Sequence, residues 1–499
     1  METKHVNNKW LTGLAQVILL GLLFYALGFA VWTIFYTETG NGDNVEHLHS
    51  TWLVAYGKVP YRDFFQHHNP LMWYIFAPIV YLSTNVLTLL DIAHALGIAG
   101  GILTFWVVYK ICRCFFNTSF LSTLTALLVL CPPYYYIFCF NYNPDTFMAL
   151  FFACGLYFLF NYWQKGGLYS LCLSFECFFI SFLFTQKILI TCAVLGILSL
   201  YIFYRQKSDV KDVISALILP ILSLLLFIAL LYQADALKLY WLSNYPFNVT
   251  MQKYYGADKI SVTDYQMLYP AVILSFLSIL FLFYKENIYF KLISFLFIIE
   301  LALRCFYFSI APYYLLPLMI YTTVLNSVLI EKIKRKNIGI IFILSIFCIY
   351  GAVISKRQYL KPRSQDRTFA RYIANNITPC DYVLSSYFGN QSIISKDVHY
   401  YWSMLGHIDV AGEETGIKPK PDVNELVLKY KPKFVYGGVY WDSYTKHRGR
   451  NVYVQQVAKH ILDEYYIPTP FSDFYILKYE LRGKNCQYDT LKKEWFYAD

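Results

Sequence analysis

Apolar residues run in blocks of near twenty along most of the first 355 positions, separated by short polar connectors. A bilayer core takes about 20 residues of helix. The pattern therefore predicts spans at about 10–35, 91–111, 119–140, 146–163, 168–185, 188–204, 213–232, 267–284, 288–305, 312–330 and 338–355. That is a polytopic α-helical membrane protein of about 11 transmembrane helices. The first block runs from Trp10 to Phe35 behind Lys4 and Lys9. It is too long for a signal-peptide core, and no small-residue cleavage site follows it.

The connectors alternate in charge. Lys110 and Arg113, Lys165, then Arg205, Lys207 and Lys211, then Lys285, then Lys332, Lys334, Arg335 and Lys336 fall on one side. The positive-inside rule makes that side cytoplasmic, with the N-terminus. Residues 70–90 are apolar enough to span, but counting them would invert this scheme. They also begin at Asn69-Pro70 and carry Pro78 mid-way. They are expected to form an interfacial or re-entrant helix on the outer face.

From about 356 onward the pattern becomes that of a soluble domain. Residues 366–376 and 422–430 read as helices, and 453–464 as a further one. Residues 381–386 and 433–439 read as short strands, and FSDFYILKYE at 471–480 as an edge strand. Helices alternating with strands argue for a small α/β domain. The expected organisation is a membrane domain over 1–355, with a first outer loop at 36–70, and a C-terminal domain over 356–499 on the outer side.

Composition agrees. Hydrophobic residues are 57% and charged residues only 15%, against about 25% charged in soluble chains. The net charge of +10 sits in the connectors and forms no basic stripe, which argues against nucleic acid. Of the 12 cysteines, only Cys380 and Cys486 lie in the polar tail. They could pair if that tail meets an oxidising compartment; the others behave as small hydrophobes.

Two outward loops are rich in side chains for chemistry. The first, GDNVEHLHSTWLVAYGKVPYRDFFQHHNP, gathers Asp43, Glu46, His47, His49, Tyr61, Arg62, Asp63, His67 and His68. Residues 44–56 can form an amphipathic helix, ended by Gly57 and Pro60. Asp43 and Glu46 have capping-box spacing, and Arg62-Asp63 alone would be a surface pair of small value. His67 and His68 alone would be interfacial polar residues. The second loop, about 233–266, holds Lys238, Tyr240, Trp241, Asn244, Tyr245, Lys253, Tyr254, Tyr255 and Asp264.

A second acid changes the weighing. Asp145 opens the fourth span within NYNPDTF. Asn143 can cap and Pro144 take the first helical position, with Asp145 complementing the dipole. Yet an acid at the mouth of a helical bundle is a functional candidate, and Asp43 is expected on the same face. Lys187 and Arg304 lie near outer helix ends. Each could snorkel to the interface or serve a phosphate as its cation.

The run D43-x-x-E46-H47-L48-H49 followed by G57-x-V59-P60-Y61-R62-D63-F64-F65-x-H67-H68-x-P70 resembles the GT-C superfamily of glycosyltransferases. The nearest group holds the protein O-mannosyltransferases and the lipid A aminoarabinose transferase. N143-P144-D145, TQK at 185–187 and PYYLLPL at 312–318 are similar too, and the resemblance covers about residues 10–330. It implies a bacterial inner-membrane enzyme with a sugar donor carried on a polyprenyl phosphate. It also implies inverting transfer at the periplasmic face to a glycan, lipid or protein acceptor.

In that resemblance Asp43 is the general base, and Asp145 holds the acceptor or shapes the site. Lys187 and Arg304 neutralise the leaving phosphate, while Glu46, His47, Tyr61, Arg62, Asp63, His67 and His68 contact substrate. The chain departs from the pattern at Asn44, where many relatives carry Glu, at Asn143, where Arg is frequent, and in PYYLLPL, which lacks the basic residue some relatives place there. No cofactor is implied with certainty: two acids could hold a divalent metal, but no third ligand is evident. A transporter or flippase, or a polymerase or ligase for a lipid-linked glycan, would share the lipid-facing chemistry. Paired repeats expected of transporters are not seen.

Overall fold

The computed structural model describes residues 42–115, 140–206, 208–255, 288–307, 316–333, 364–384, 393–401, 411–418, 422–437, 456–492 and 494–498, with single positions at 17, 21, 24, 28, 275, 276 and 279. The expected spans at 10–35, 119–140, 267–284 and 338–355 fall outside the described residues for all or most of their length. Among the described residues the fold is mostly helical, and four helices are long and apolar enough to cross a membrane.

The chain enters through α1 (Gly42–Ala55) and reaches α2 (Leu71–Phe76), which passes into a 3-10 turn at Ala77–Leu82. Residues 70–90 are thus no single helix, and this pair is too short to cross a bilayer. After a break at Ser83, α3 (Val86–Phe115) runs for 30 residues, beginning five residues before the expected span. Helices α4 (Pro144–Lys165) and α5 (Leu168–Phe184) form a hairpin. Its turn is made by Gly166 and Gly167, whose φ of 72° and 100° suit glycine. Next come α6 (Leu189–Gln206) and α7 (Val210–Gln233).

Burial sorts these helices. Most of α4 is buried, with Phe152, Leu156 and Phe160 at its centre, whereas α7 presents Ile214, Ile218, Leu222, Leu225 and Leu226 outward. A helix apolar on its exposed side is what lipid requires. Short helices α8 (Leu237–Asn244) and α9 (Pro246–Tyr255) follow, then α10 (Ile288–Tyr307) and α11 (Leu316–Ile333).

Beyond them, α12 (Ser364–Asn376), α13 (Val423–Tyr430) and α14 (Lys459–Tyr465) accompany β1 (Tyr382–Leu384), β2 (Lys396–Asp397), β3 (Phe434–Tyr436), β4 (Tyr466–Pro468) and β5 (Phe474–Leu477). The sheet order is β2-β1-β3-β5-β4. β1 pairs parallel with β2 and β3, and β5 pairs antiparallel with β3 and β4. The segment expected as an edge strand is therefore internal. Its alternation misled because β4, three residues long, supplies the edge instead. A hairpin of β6 (Cys486–Asp489) and β7 (Glu494–Tyr497) was not expected. A disulfide joins Cys380 to Cys486. Ile373, Val383, Ile393, Phe434 and Ile476 share one apolar cluster with Leu48, Trp73 and Phe152, so this unit packs on the membrane part.

Candidate active site

Helix α1 carries the site. Its first turn holds Asp43; the helix already includes Gly42, so Asp43 lies inside it and is not the N-cap the capping-box spacing suggested. Position in the first turn still favours the anion through the helix dipole. Two turns on, Ser50 donates to the Glu46 carbonyl at 2.9 Å and accepts from Gln66 Nε2 at 2.7 Å. Thr51 bonds the hydroxyl of Tyr142 at 2.9 Å. These bonds tie α1 to the end of its own loop and to the segment before α4.

At the start of α4, Asn143 caps by accepting from the Thr146 amide at 2.9 Å, and Pro144 takes the first turn. This leaves Asp145 buried at the helix mouth. Opposite it, Lys187 lies in the 3-10 turn Gln186–Ile188 between α5 and α6. Its Nζ is 3.4 Å from Asp145 Oδ2. The expected cation and the expected second acid are thus one ion pair.

That pair faces the first loop. The Asp43 carboxyl is pushed up to about 6, first by burial, with Lys187 opposing and Asp145 reinforcing the rise. Glu46 is pushed up to about 8 by burial and then by Asp43. Both carboxyls hold their protons to higher pH than free acids, and Asp43 ionises before Glu46.

His47 and His68 are neutral donors and acceptors. Burial holds His47 and His68 well below the usual imidazole range, with His67 and Lys187 adding to the effect. Trp73 Nε1 donates to His47 Nδ1 at 3.4 Å, which leaves its proton on Nε2. His67 and His68 meet through their Nε2 atoms at 3.0 Å. The His67 carbonyl accepts from Gln186 Nε2 at 2.9 Å and Asn248 Nδ2 at 3.0 Å. So α9 and the Lys187 turn clamp the loop from the other side.

Several buried polar atoms of the first loop and of the segment at Lys187 find no hydrogen-bond partner within the described protein: the Asn44 amide, His68 Nδ1, Thr185 Oγ1 and Gln186 Oε1. Each costs about 1–3 kcal/mol if left unmade. Such a concentration marks a place built for a polar ligand. Among the described residues, no three His, Cys, Asp or Glu side chains come together as a metal site.

Asp43, Glu46, His47, His67, His68, Asp145 and Lys187 therefore form one cluster. Tyr61 is fully buried at φ 67°, and its hydroxyl donates to the His68 carbonyl at 2.5 Å; it positions the loop. Arg62 and Asp63 stand apart, paired at 2.8 Å on the surface with Arg62 41% exposed. Arg304 sits near the end of α10, and its side chain lies outside the described residues.

Sequence reasoning missed the positioning shell of Thr51, Gln66, Trp73, Tyr142, Gln186 and Asn248. These are uncharged, and only the fold reveals their partners. It also missed His49 with Asp397. His49 Nε2 lies 2.9 Å from Asp397 Oδ2, and Nδ1 lies 3.2 Å from the Ile393 carbonyl. Burial opposes charge on His49, but Asp397 overcomes it and the net shift is upward. Nearby, Phe65 N donates to the Tyr400 carbonyl at 2.7 Å. The C-terminal unit thus grips the first loop directly.

Residues 67–233 match the family described as dolichyl-phosphate-mannose-protein mannosyltransferase. The structure of ArnT from Cupriavidus metallidurans bound to undecaprenyl phosphate superposes with a TM-score of 0.57 at 13% identity. That match covers 85% of this chain and 91% of ArnT. The chain shares the fold of ArnT. The apo state of the same ArnT gives a TM-score of 0.52 at 13% identity, over 82% of this chain and 90% of that one. No curated protein matches in sequence. The family match begins at His67, in the loop that carries the cluster, and runs through Asp145 and Lys187 to the end of α7.

Proposed function

We propose that this protein is a membrane glycosyltransferase that moves a sugar from a polyprenyl-phosphate donor to an acceptor, with inversion. The observation that carries the reading is the meeting of Asp43 with the Asp145–Lys187 pair. An acidic first-loop residue on α1, a second acid at the start of α4 and a cation from the turn between α5 and α6 converge. The family match and the fold shared with ArnT support sugar transfer as the chemistry. The undecaprenyl phosphate held by ArnT supports a lipid phosphate as the donor's leaving group.

In this reading an acceptor hydroxyl gives its proton to Asp43 as it attacks the anomeric carbon from the face opposite the phosphate. The C–O bond to the phosphate breaks, and the polyprenyl phosphate leaves with the electron pair. Lys187 offsets the charge that develops on it. A carboxyl at about 6 is ionised at neutral pH, yet basic enough to take a proton. Asp145 holds Lys187 in place. His47 and His68, uncharged, orient hydroxyls without competing for the phosphate. No nucleotide or nucleic acid takes part.

The same reading places α1 and the C-terminal unit at the periplasmic face of a bacterial inner membrane, with the N-terminus cytoplasmic and eleven spans in all. The Cys380–Cys486 disulfide supports an oxidising compartment for the tail. Acceptor classes open to such a site are a glycan, a lipid or a protein. The test is transfer by the purified protein from polyprenyl-phosphate sugars, with release of polyprenyl phosphate as the readout. Asp43→Asn is expected to fold and insert normally, and to lose activity by about 10²–10⁴-fold. Full activity in that variant sinks the mechanism.

A further inference from the structure

A cavity of about 590 Å³ lies between the C-terminal end of α1 and the C-terminal unit. Its size is that of a ligand pocket, and no member of the Asp43 cluster lines it. Trp52 lines it, nine residues along α1 from Asp43, which is about 14 Å along the helix axis. One helix therefore has the candidate base at one end and this cavity at the other.

The lining has two parts. Trp52, Tyr382, Tyr430 and Trp495 supply aromatic rings; Tyr382 and Tyr430 stand 5.0 Å apart. Between them stand carboxylates, Asp63, Asp397, Asp422, Glu425 and Glu494. The lysines of the lining are Lys58, Lys396, Lys418 and Lys429. The lining is close to charge-balanced, since five acids face four lysines and Asp63 and Asp397 are also engaged by Arg62 and His49, and a phosphate or lipid headgroup finds no concentrated cationic field there. Lys396 lies 3.8 Å from Glu494, and Lys418 lies over the Tyr400 ring at 3.8 Å, so both ammoniums already have partners. Rings that accept apolar C–H faces, beside carboxylates and ammoniums that bond hydroxyls, suit an uncharged polyol with alternating faces.

We propose that this cavity binds an uncharged oligosaccharide: the body of the acceptor glycan, whose terminal hydroxyl reaches Asp43. The proposal rests on the transferase reading and narrows the acceptor to a glycan. His49 pins α1 to Asp397 at the cavity wall, so the cavity and the candidate base keep a fixed separation.

The test uses the full-length protein in lipid nanodiscs. Oligosaccharides of two to about six sugars, cut by mild acid from the envelope of the expressing cells and labelled at the reducing end, are titrated by fluorescence anisotropy. An alkyl phosphate is the anionic competitor. Saturable binding is expected, weakened at least tenfold by Glu425→Gln/Tyr430→Ala. Should the double variant unfold, Glu425→Gln/Lys429→Gln on the same helix replaces it, with a loss of several-fold. Absence of binding, equal binding by the variants, or displacement by alkyl phosphate overturns the proposal. Binding is read without donor, so failure of the transferase reading leaves it measurable. Transfer to a short soluble alcohol isolates the reverse case.

Discussion

The pH dependence of transfer tests the site most sharply. Asp43 is held at about 6 in place of 3.8, a shift of roughly 3 kcal/mol against the charged form at 1.36 kcal/mol per unit. A base must be ionised to act. About nine tenths of the enzyme is therefore competent at pH 7 and about a tenth at pH 5. An unshifted aspartate would leave the rate flat over that range. The same shift lowers stability as pH rises from about 4 to about 6, because the folded state retains the proton longer. Lys187 lowers the Asp43 value and Asp145 raises it. Lys187→Met should then move the acid limb upward by about 1 unit, and Asp145→Asn should move it downward.

Breaking the buried pair costs about 3–5 kcal/mol, so the double variant Lys187→Met/Asp145→Asn is needed to separate stability from chemistry. The assay is kcat/KM for release of polyprenyl phosphate between pH 4.5 and 8.5 in nanodiscs. A limb near 4, or one that stays in place in Lys187→Met, would refute the reasoning.

Other consequences follow from particular contacts. The disulfide closes a separation of 106 residues, so Cys380→Ser/Cys486→Ser should cost the C-terminal unit about 2–4 kcal/mol, read by denaturant melts with and without reductant. His49 has a raised value through Asp397. Its stabilisation is full below about 6.5 and fades as pH rises through the higher folded value, so Asp397→Asn should lower Tm more at pH 6 than at pH 9. A Cβ on Gly97 would stand 2.5 Å from the Phe140 carbonyl and 2.6 Å from the Asn141 carbonyl carbon. Gly97→Ala should displace the Asn143 cap, costing about 1–3 kcal/mol and slowing transfer. Arg62→Ala breaks an exposed pair worth about 0–1 kcal/mol, and transfer should stay within about twofold.

Much of this was legible in the chain. Blocks of apolar residues fix helices in a bilayer, because the backbone there must satisfy its own hydrogen bonds. The Asn143-Pro144-Asp145 cap is local chemistry, and the structure reproduces it. The ionisable residues of the first loop stood out because charge is scarce around them. What the sequence could not decide was which of them meet. Asp145 pairs with Lys187 across 42 positions, and His49 with Asp397 across 348; no local pattern encodes such distances. Arg62 and Asp63 carry the same kinds of charge as the cluster, yet the left-handed Tyr61 turns them to the surface. The edge strand failed for the same reason: alternation reports which face is buried, while the neighbours of a strand are set by hydrogen bonds to segments far along the chain. Charge and hydropathy chose the elements and the candidates. Packing of α1 between the α4 mouth, the Lys187 turn and the C-terminal sheet chose the site.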